Sequence, residues 1–86
     1  MKIYYSRMFK KMFKKLPVRF QNQFEERLCL FTENPCHPLL HNHALSGSWL
    51  GCRSINISGD LRAVYEKIDN DHIEFIAIGG HSALYS

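Results

Sequence analysis

Apolar residues recur every three or four positions in the first third of this chain and every second position in its last third, and no single kind of secondary structure satisfies both periods. Tyr5, Met8, Phe9, Met12, Phe13 and Leu16 fall at helical spacing, the stripe of an amphipathic helix. Lys10, Lys11, Lys14 and Lys15 occupy its other side. Ser6 suits the N-cap, where a hydroxyl can accept an otherwise unused backbone N–H. Pro17 ends the helix and can open the next, because a first turn has no need of the N–H that proline lacks. Phe20, Phe24, Leu28 and Phe31 form a second stripe that stops at Asn34–Pro35. So short a link predicts a helical hairpin.

The alternating part starts after a polar, histidine-rich stretch from Asn34 to about Ser48, read as loop. Trp49–Ser58 reads as a strand with Arg53, Ile55 and Ile57 on one face and Cys52, Ser54 and Asn56 on the other. Gly59–Asp60 is a tight connection. Leu61–Ile68 is the next strand, with Leu61, Ala63 and Tyr65 opposite Arg62, Val64 and Glu66. Asn70–Asp71 turns the chain into the apolar run Ile73–Ile78, which Gly79–Gly80 breaks before a short piece, His81–Tyr85. Lys2–Ser6 is short enough for one further strand, with Ile3 and Tyr5 on one side. The expected architecture is α+β in the order β-α-α-β-β-β, a helical hairpin on one face of a small twisted, mainly antiparallel sheet.

At 86 residues one domain, 1–86, is expected. No apolar run approaches the roughly 20 residues of a membrane span, and lysines interrupt the apolar residues of the first segment, so a cytoplasmic chain is expected. Cys29, Cys36 and Cys52 have no CxxC spacing and read as reduced thiols, Cys29 as core filler. The charge is uneven. Residues 1–30 carry eight Lys and Arg against two Glu, net +6, and residues 31–86 carry three against six, net −3. A basic half suggests a polyanion or an acidic protein as partner, a solvated helix face being the plainer reading.

The second half concentrates His37, His41, His43, Arg53, Asn56, Asp60, Arg62, His81 and Tyr85. Histidines near an arginine and a tyrosine suit acid/base work on a phosphodiester. That work needs a base, an acid and a cation for the extra phosphoryl charge. Cys36, His37, His41 and His43 lack a second ligand pair at zinc-site separation, so no metal and no cofactor is expected. Asp60 also fits a plain turn residue. Trp49 and Tyr65 read as packing residues, and Tyr85 as a residue able to stack on RNA.

Three segments, in order, resemble one known group. His43-Ala-Leu-Ser-Gly-Ser-Trp-Leu-Gly-Cys-Arg53, Gly59-Asp60-Leu-Arg62-Ala-Val-Tyr65 and Gly79-Gly-His81-Ser-Ala-Leu-Tyr85 are similar to the H-x-L-x-G-x-W-x-G-x-R, G-D-x-R-x-x-Y and G-x-H-x-x-L-[YF] segments of YafQ-like toxins, in the RelE/ParE superfamily of toxin–antitoxin systems. The resemblance implies a RelE-like fold and a ribosome-dependent mRNA endonuclease that cuts without a metal, the 2′-hydroxyl attacking the adjacent phosphate. It implies His43 or His81 as acid or base and Asp60 as a second base or orienter. Arg62 would hold the phosphate and Tyr85 a base.

Lys10, Lys11, Lys14, Lys15, Arg53 and Asn56 are the expected RNA and ribosome contacts. A cognate antitoxin is the expected partner, covering the RNA-binding sheet surface; no membrane and no small-molecule substrate is expected. The chain departs from the pattern at two positions, with Asn56 in place of a histidine and Ala77 in place of an arginine. These departures leave two alternatives: a non-enzymatic ParE-like toxin acting on DNA gyrase, and an impaired toxin that only binds its antitoxin.

Overall fold

A computed structural model describes residues 1–85; Ser86, the last residue of the expected single domain, lies outside the described residues. The chain runs β1 (Lys2–Tyr5), α1 (Arg7–Lys14), α2 (Val18–Glu33), β2 (His43–Ala44), β3 (Cys52–Ser58), β4 (Leu61–Lys67), β5 (His72–Gly79) and α3 (His81–Tyr85). The five strands form one mixed sheet in the order β1-β5-β4-β3-β2. β1 lies parallel to β5 and every other pairing is antiparallel.

Both helices of the hairpin form where their stripes predict. Ser6 caps α1, its Oγ accepting the Phe9 N–H at 2.9 Å. The same hydroxyl donates to the Ile76 carbonyl at 2.6 Å, where the β4–β5 register slips by one residue. Gln21 closes the other end of α1, its amide reaching the Phe13 and Leu16 carbonyls, each at 3.1 Å. Pro17 sits at the N-cap of α2.

α1 packs on β5 and α2 on β3, enclosing Phe9, Phe24, Phe31, Tyr65 and Phe75 with Ile55, Ile57, Ala63 and Ile78. The aromatic rings interlock at centroid separations of 5–6 Å, as in Phe24–Phe75 at 5.3 Å and Phe31–Tyr65 at 5.0 Å, the edge-on arrangement that ring quadrupoles favour. The predicted faces of β3 and β4 are the observed ones. Ile55, Ile57, Leu61, Ala63 and Tyr65 all turn to the hairpin.

Four expectations change. Residues 34–48 are not all loop: Pro38–Leu40 and Gly47–Trp49 are single 3₁₀ turns, and His43–Ala44 pairs with β3. The strand read as Trp49–Ser58 begins at Cys52, because Trp49 belongs to a turn that folds back over the sheet. His81–Tyr85 is a helix, so the order gains one strand and one helix. Cys29 is exposed on α2 and fills no core. No helix among the described residues is long and apolar enough to cross a membrane.

Candidate functional site

The face of the sheet away from the hairpin is only partly covered. Val64, Ala77 and Leu84 form a small second cluster there, with Trp49, Leu45 and Cys52 packed against it. Leu84 belongs to α3, a helix of five residues, far below the length at which a helix holds itself together in water. Tertiary contacts supply the rest. At its start the Asp60 carboxylate accepts the His81 backbone N–H at 3.0 Å. At its end the indole N–H of Trp49 donates to the Leu84 carbonyl at 2.8 Å.

Register places the polar residues beside this cluster. Paired residues of neighbouring strands share a face, and β2–β3 sets His43 opposite Ser54, while β3–β4 sets Asn56 opposite Arg62. Gly79, next across from Arg62, leads into His81. His43, Arg62, His81 and Tyr85 accordingly line one open depression of about 460 Å³. The His81 and Tyr85 rings lie 4.9 Å apart and tilted, and Tyr85 keeps 36% of its surface. Two acceptors on this face, Ser54 Oγ and Asn56 Oδ1, are buried without a hydrogen-bond partner among the described residues.

Of the five residues expected to act, four meet around the depression. The fifth, Asp60, reaches it through the backbone of His81 rather than as a lining side chain. Gly80 makes that approach possible, since a Cβ there would lie 2.8 Å from Asp60 Oδ2. Arg53 is not brought to this surface. It pairs with Ala44 and Tyr65 on the hairpin side, and its Nε donates to Asn42 Oδ1 at 2.8 Å. Lys10, Lys11 and Lys14 on α1 and Lys15 at its C-cap are exposed, and none lines the depression. Ala77 lies on the site's face but is 1% exposed, beside Val64 and Leu84.

No three His, Cys, Asp or Glu side chains among the described residues come together to hold a metal ion. His37 instead accepts the Leu39 N–H on Nδ1 at 3.1 Å. Asn42, whose part the sequence did not reveal, ties the histidine loop to the sheet. Its amide donates to the Pro35 carbonyl at 2.9 Å and to the Tyr65 hydroxyl at 2.8 Å.

The model of a family described as bacterial toxin of type II toxin–antitoxin system, YafQ, matches residues 1–86. The chain belongs to the YafQ toxin family. No curated protein matches it in sequence. Among solved structures, YafQ from E. coli strain BL21(DE3) is 26% identical with a TM-score of 0.83, covering 99% of this chain and 98% of that one. The E. coli DinJ–YafQ complex matches at 27% identity and a TM-score of 0.80, again over 99% and 98%. A YoeB/ParE toxin from Agrobacterium tumefaciens, 19% identical, shares the fold at a TM-score of 0.77 over 94% of this chain and 99% of its own. This YafQ-family chain is therefore a toxin of a type II toxin–antitoxin system, on the α+β fold that the motif resemblance implied.

Proposed function

We propose that this toxin is a ribosome-dependent mRNA endonuclease acting in the cytoplasm. The observation that carries the reading is the convergence of His43 from β2, Arg62 from β4, and His81 and Tyr85 from α3 on one depression. Cleavage by internal attack needs an acid, a base and a phosphate grip within reach of a single nucleotide. The attacking O2′ bonds to phosphorus as its proton passes to one imidazole. The P–O5′ bond breaks as the other imidazole protonates the leaving oxygen. This yields a 2′,3′-cyclic phosphate and a 5′-hydroxyl.

Arg62 is half-buried and its guanidinium offers a permanently charged fork to the phosphate. It compensates for Ala77, whose covered position has no opening for a cation. Asn56 stands opposite Arg62 and backs it from β3, and Tyr85 gives its exposed ring to a base. Asp60 is the orienter, holding the first turn of α3 and with it His81. The basic face of α1, at Lys10, Lys11, Lys14 and Lys15, contacts ribosomal RNA, so binding weakens steeply with salt. A cognate antitoxin, as DinJ is seen with YafQ in E. coli, lays an acidic segment over the depression; a complex that leaves the depression open overturns that placement.

Primer extension on a reporter mRNA in purified translating ribosomes tests the activity, with wild type beside His81→Gln. Cuts at A-site codons that vanish in the variant support it. Absence of cuts at wild-type concentrations that still arrest growth refutes it. Asn56 and Ala77 would then favour the gyrase reading, in which no proton transfer is needed.

A further inference from the structure

His41 is the only non-glycine residue among those described with a positive φ. At φ 46° and ψ 46° it lies in the left-handed helical region, which crowds Cβ and is held only where surrounding contacts demand it. Those contacts are on both sides. His41 closes the turn Pro38–Leu40, its N–H donating to the Pro38 carbonyl at 3.3 Å. Asn42 follows at once, fixed by Pro35, Tyr65 and Arg53. The clamp leaves the His41 carbonyl 2.8 Å from Nδ1 of His43.

A carbonyl oxygen can only accept, so this bond forms only when Nδ1 carries the hydrogen. Neutral His43 then keeps Nε2 bare. His37, in the same loop, is held the other way, because its Nδ1 accepts the Leu39 N–H and leaves the hydrogen to Nε2. His81 makes no recorded ring hydrogen bond among the described residues; its contact with Asp60 is through the backbone.

We infer that His41 is a positioning residue whose left-handed backbone supplies the carbonyl that fixes the Nδ1–H tautomer of His43. His43 is thereby the base of the site and His81 the acid. This rests on the ribonuclease reading for the step it serves: the O2′ proton moves to His43 Nε2, O2′ bonds to phosphorus, P–O5′ breaks, and O5′ takes its proton from His81.

Nitrogen-15 spectra of labelled imidazoles, recorded at about pH 8.5 where histidine is neutral, test it without any substrate. The wild type is expected to show His43 protonated on Nδ1, with His37 protonated on Nε2 in the same spectrum as an internal reference. His41→Gly, which adopts positive φ freely, keeps the tautomer and the cleavage rate. His41→Val, which resists it, shifts His43 towards Nε2–H and slows cleavage at least about tenfold. Wild-type His43 protonated on Nε2 overturns the inference, as does a folded Val variant with the tautomer unchanged. Should the Val variant not fold, the wild-type and Gly spectra decide alone. A chain that holds the tautomer yet cuts no RNA refutes the ribonuclease reading and leaves the positioning of His43 in place.

Discussion

The Asp60 carboxylate accepts the backbone N–H of His81 at 3.0 Å across 21 positions of sequence, and this one contact joins the β3–β4 turn to the C-terminal helix. Neither partner would be ordered by its own segment, since Asp60 is exposed and α3 is a little over one turn long. Removing the acceptor should loosen α3 alone. In Asp60→Ala, hydrogen exchange across 81–85 is expected to accelerate while the core strands exchange as before. Asp60→Asn, which keeps an acceptor oxygen, is expected to restore most of the protection. Equal acceleration in both variants would show that charge rather than the bond holds the helix.

Trp49→Phe tests the other tether. Phenylalanine keeps most of the packing against the second cluster but has no N–H for the Leu84 carbonyl. The loss of one part-buried bond is expected to destabilise by about 1 kcal/mol. Because Trp49 and Asp60 hold the two ends of one short helix, the double variant is expected to fall short of additivity. A denaturation double-mutant cycle measures the difference; strict additivity would mean that α3 does not act as one unit.

The same two contacts explain what the sequence could and could not disclose. The stripes of α1 and α2 and the alternation of β3 and β4 are local periodicities, and each is written in consecutive residues such as Phe9–Phe13 or Ile55–Ile57. β2 is two residues long and α3 five, so neither has a period to read; both exist through partners distant in sequence. His43, Asp60, Arg62, His81 and Tyr85 were legible from spaced motifs. The bond between Asp60 and His81 was not, because nothing in either segment names the other. Cys29 reads as apolar by type, yet it sits on the exposed side of α2.

Thiol chemistry should separate the three cysteines. Cys29 and Cys36 are exposed, whereas Cys52 is partly buried. Burial, and after it the Glu66 carboxylate, push the Cys52 thiol above its ordinary range, which lowers the thiolate fraction that reacts. Alkylation near pH 7.5, followed by mass spectrometry, is expected to label Cys29 and Cys36 fast and Cys52 much more slowly. Rapid labelling of all three would contradict the packing of Cys52 against the second cluster.

The β4–β5 turn carries an acid-sensitive contact. The Asp71 backbone N–H, and after it the His72 ring, hold the Asp69 carboxyl below the usual carboxylate range, at 2.8 Å and 2.6 Å respectively. A carboxylate lowered on folding adds stability above its unfolded value near 4 and loses it as pH falls through the lower folded value. Wild type and Asp69→Ala are therefore expected to differ in Tm at neutral pH and to converge below about pH 4. Asp69 is exposed, so the gap is small. A gap that stays constant down to pH 2 would show that these contacts do not act on the ionised form.

The two departures from the family pattern predict opposite outcomes on reversion. Asn56 is only partly buried, sits opposite Arg62 and carries an acceptor with nothing to accept. Asn56→His places a proton-exchanging ring at the edge of the depression and is expected to raise cleavage by up to about 100-fold. Ala77 is 1% exposed beside Val64 and Leu84, and α3 closes in at Gly79, two residues on, where an added Cβ would lie 3.2 Å from Ala83 Cβ. Ala77→Arg must therefore either bury a charge or push α3 off the sheet. Either course is expected to lower Tm by several degrees and to slow cutting, because His81 and Tyr85 leave with the helix. Single-turnover cleavage in the ribosome assay, beside thermal unfolding of each variant, checks both. A faster, stably folded Ala77→Arg chain would mean that α3 yields to a cation at this position, and that Arg62 does not replace one.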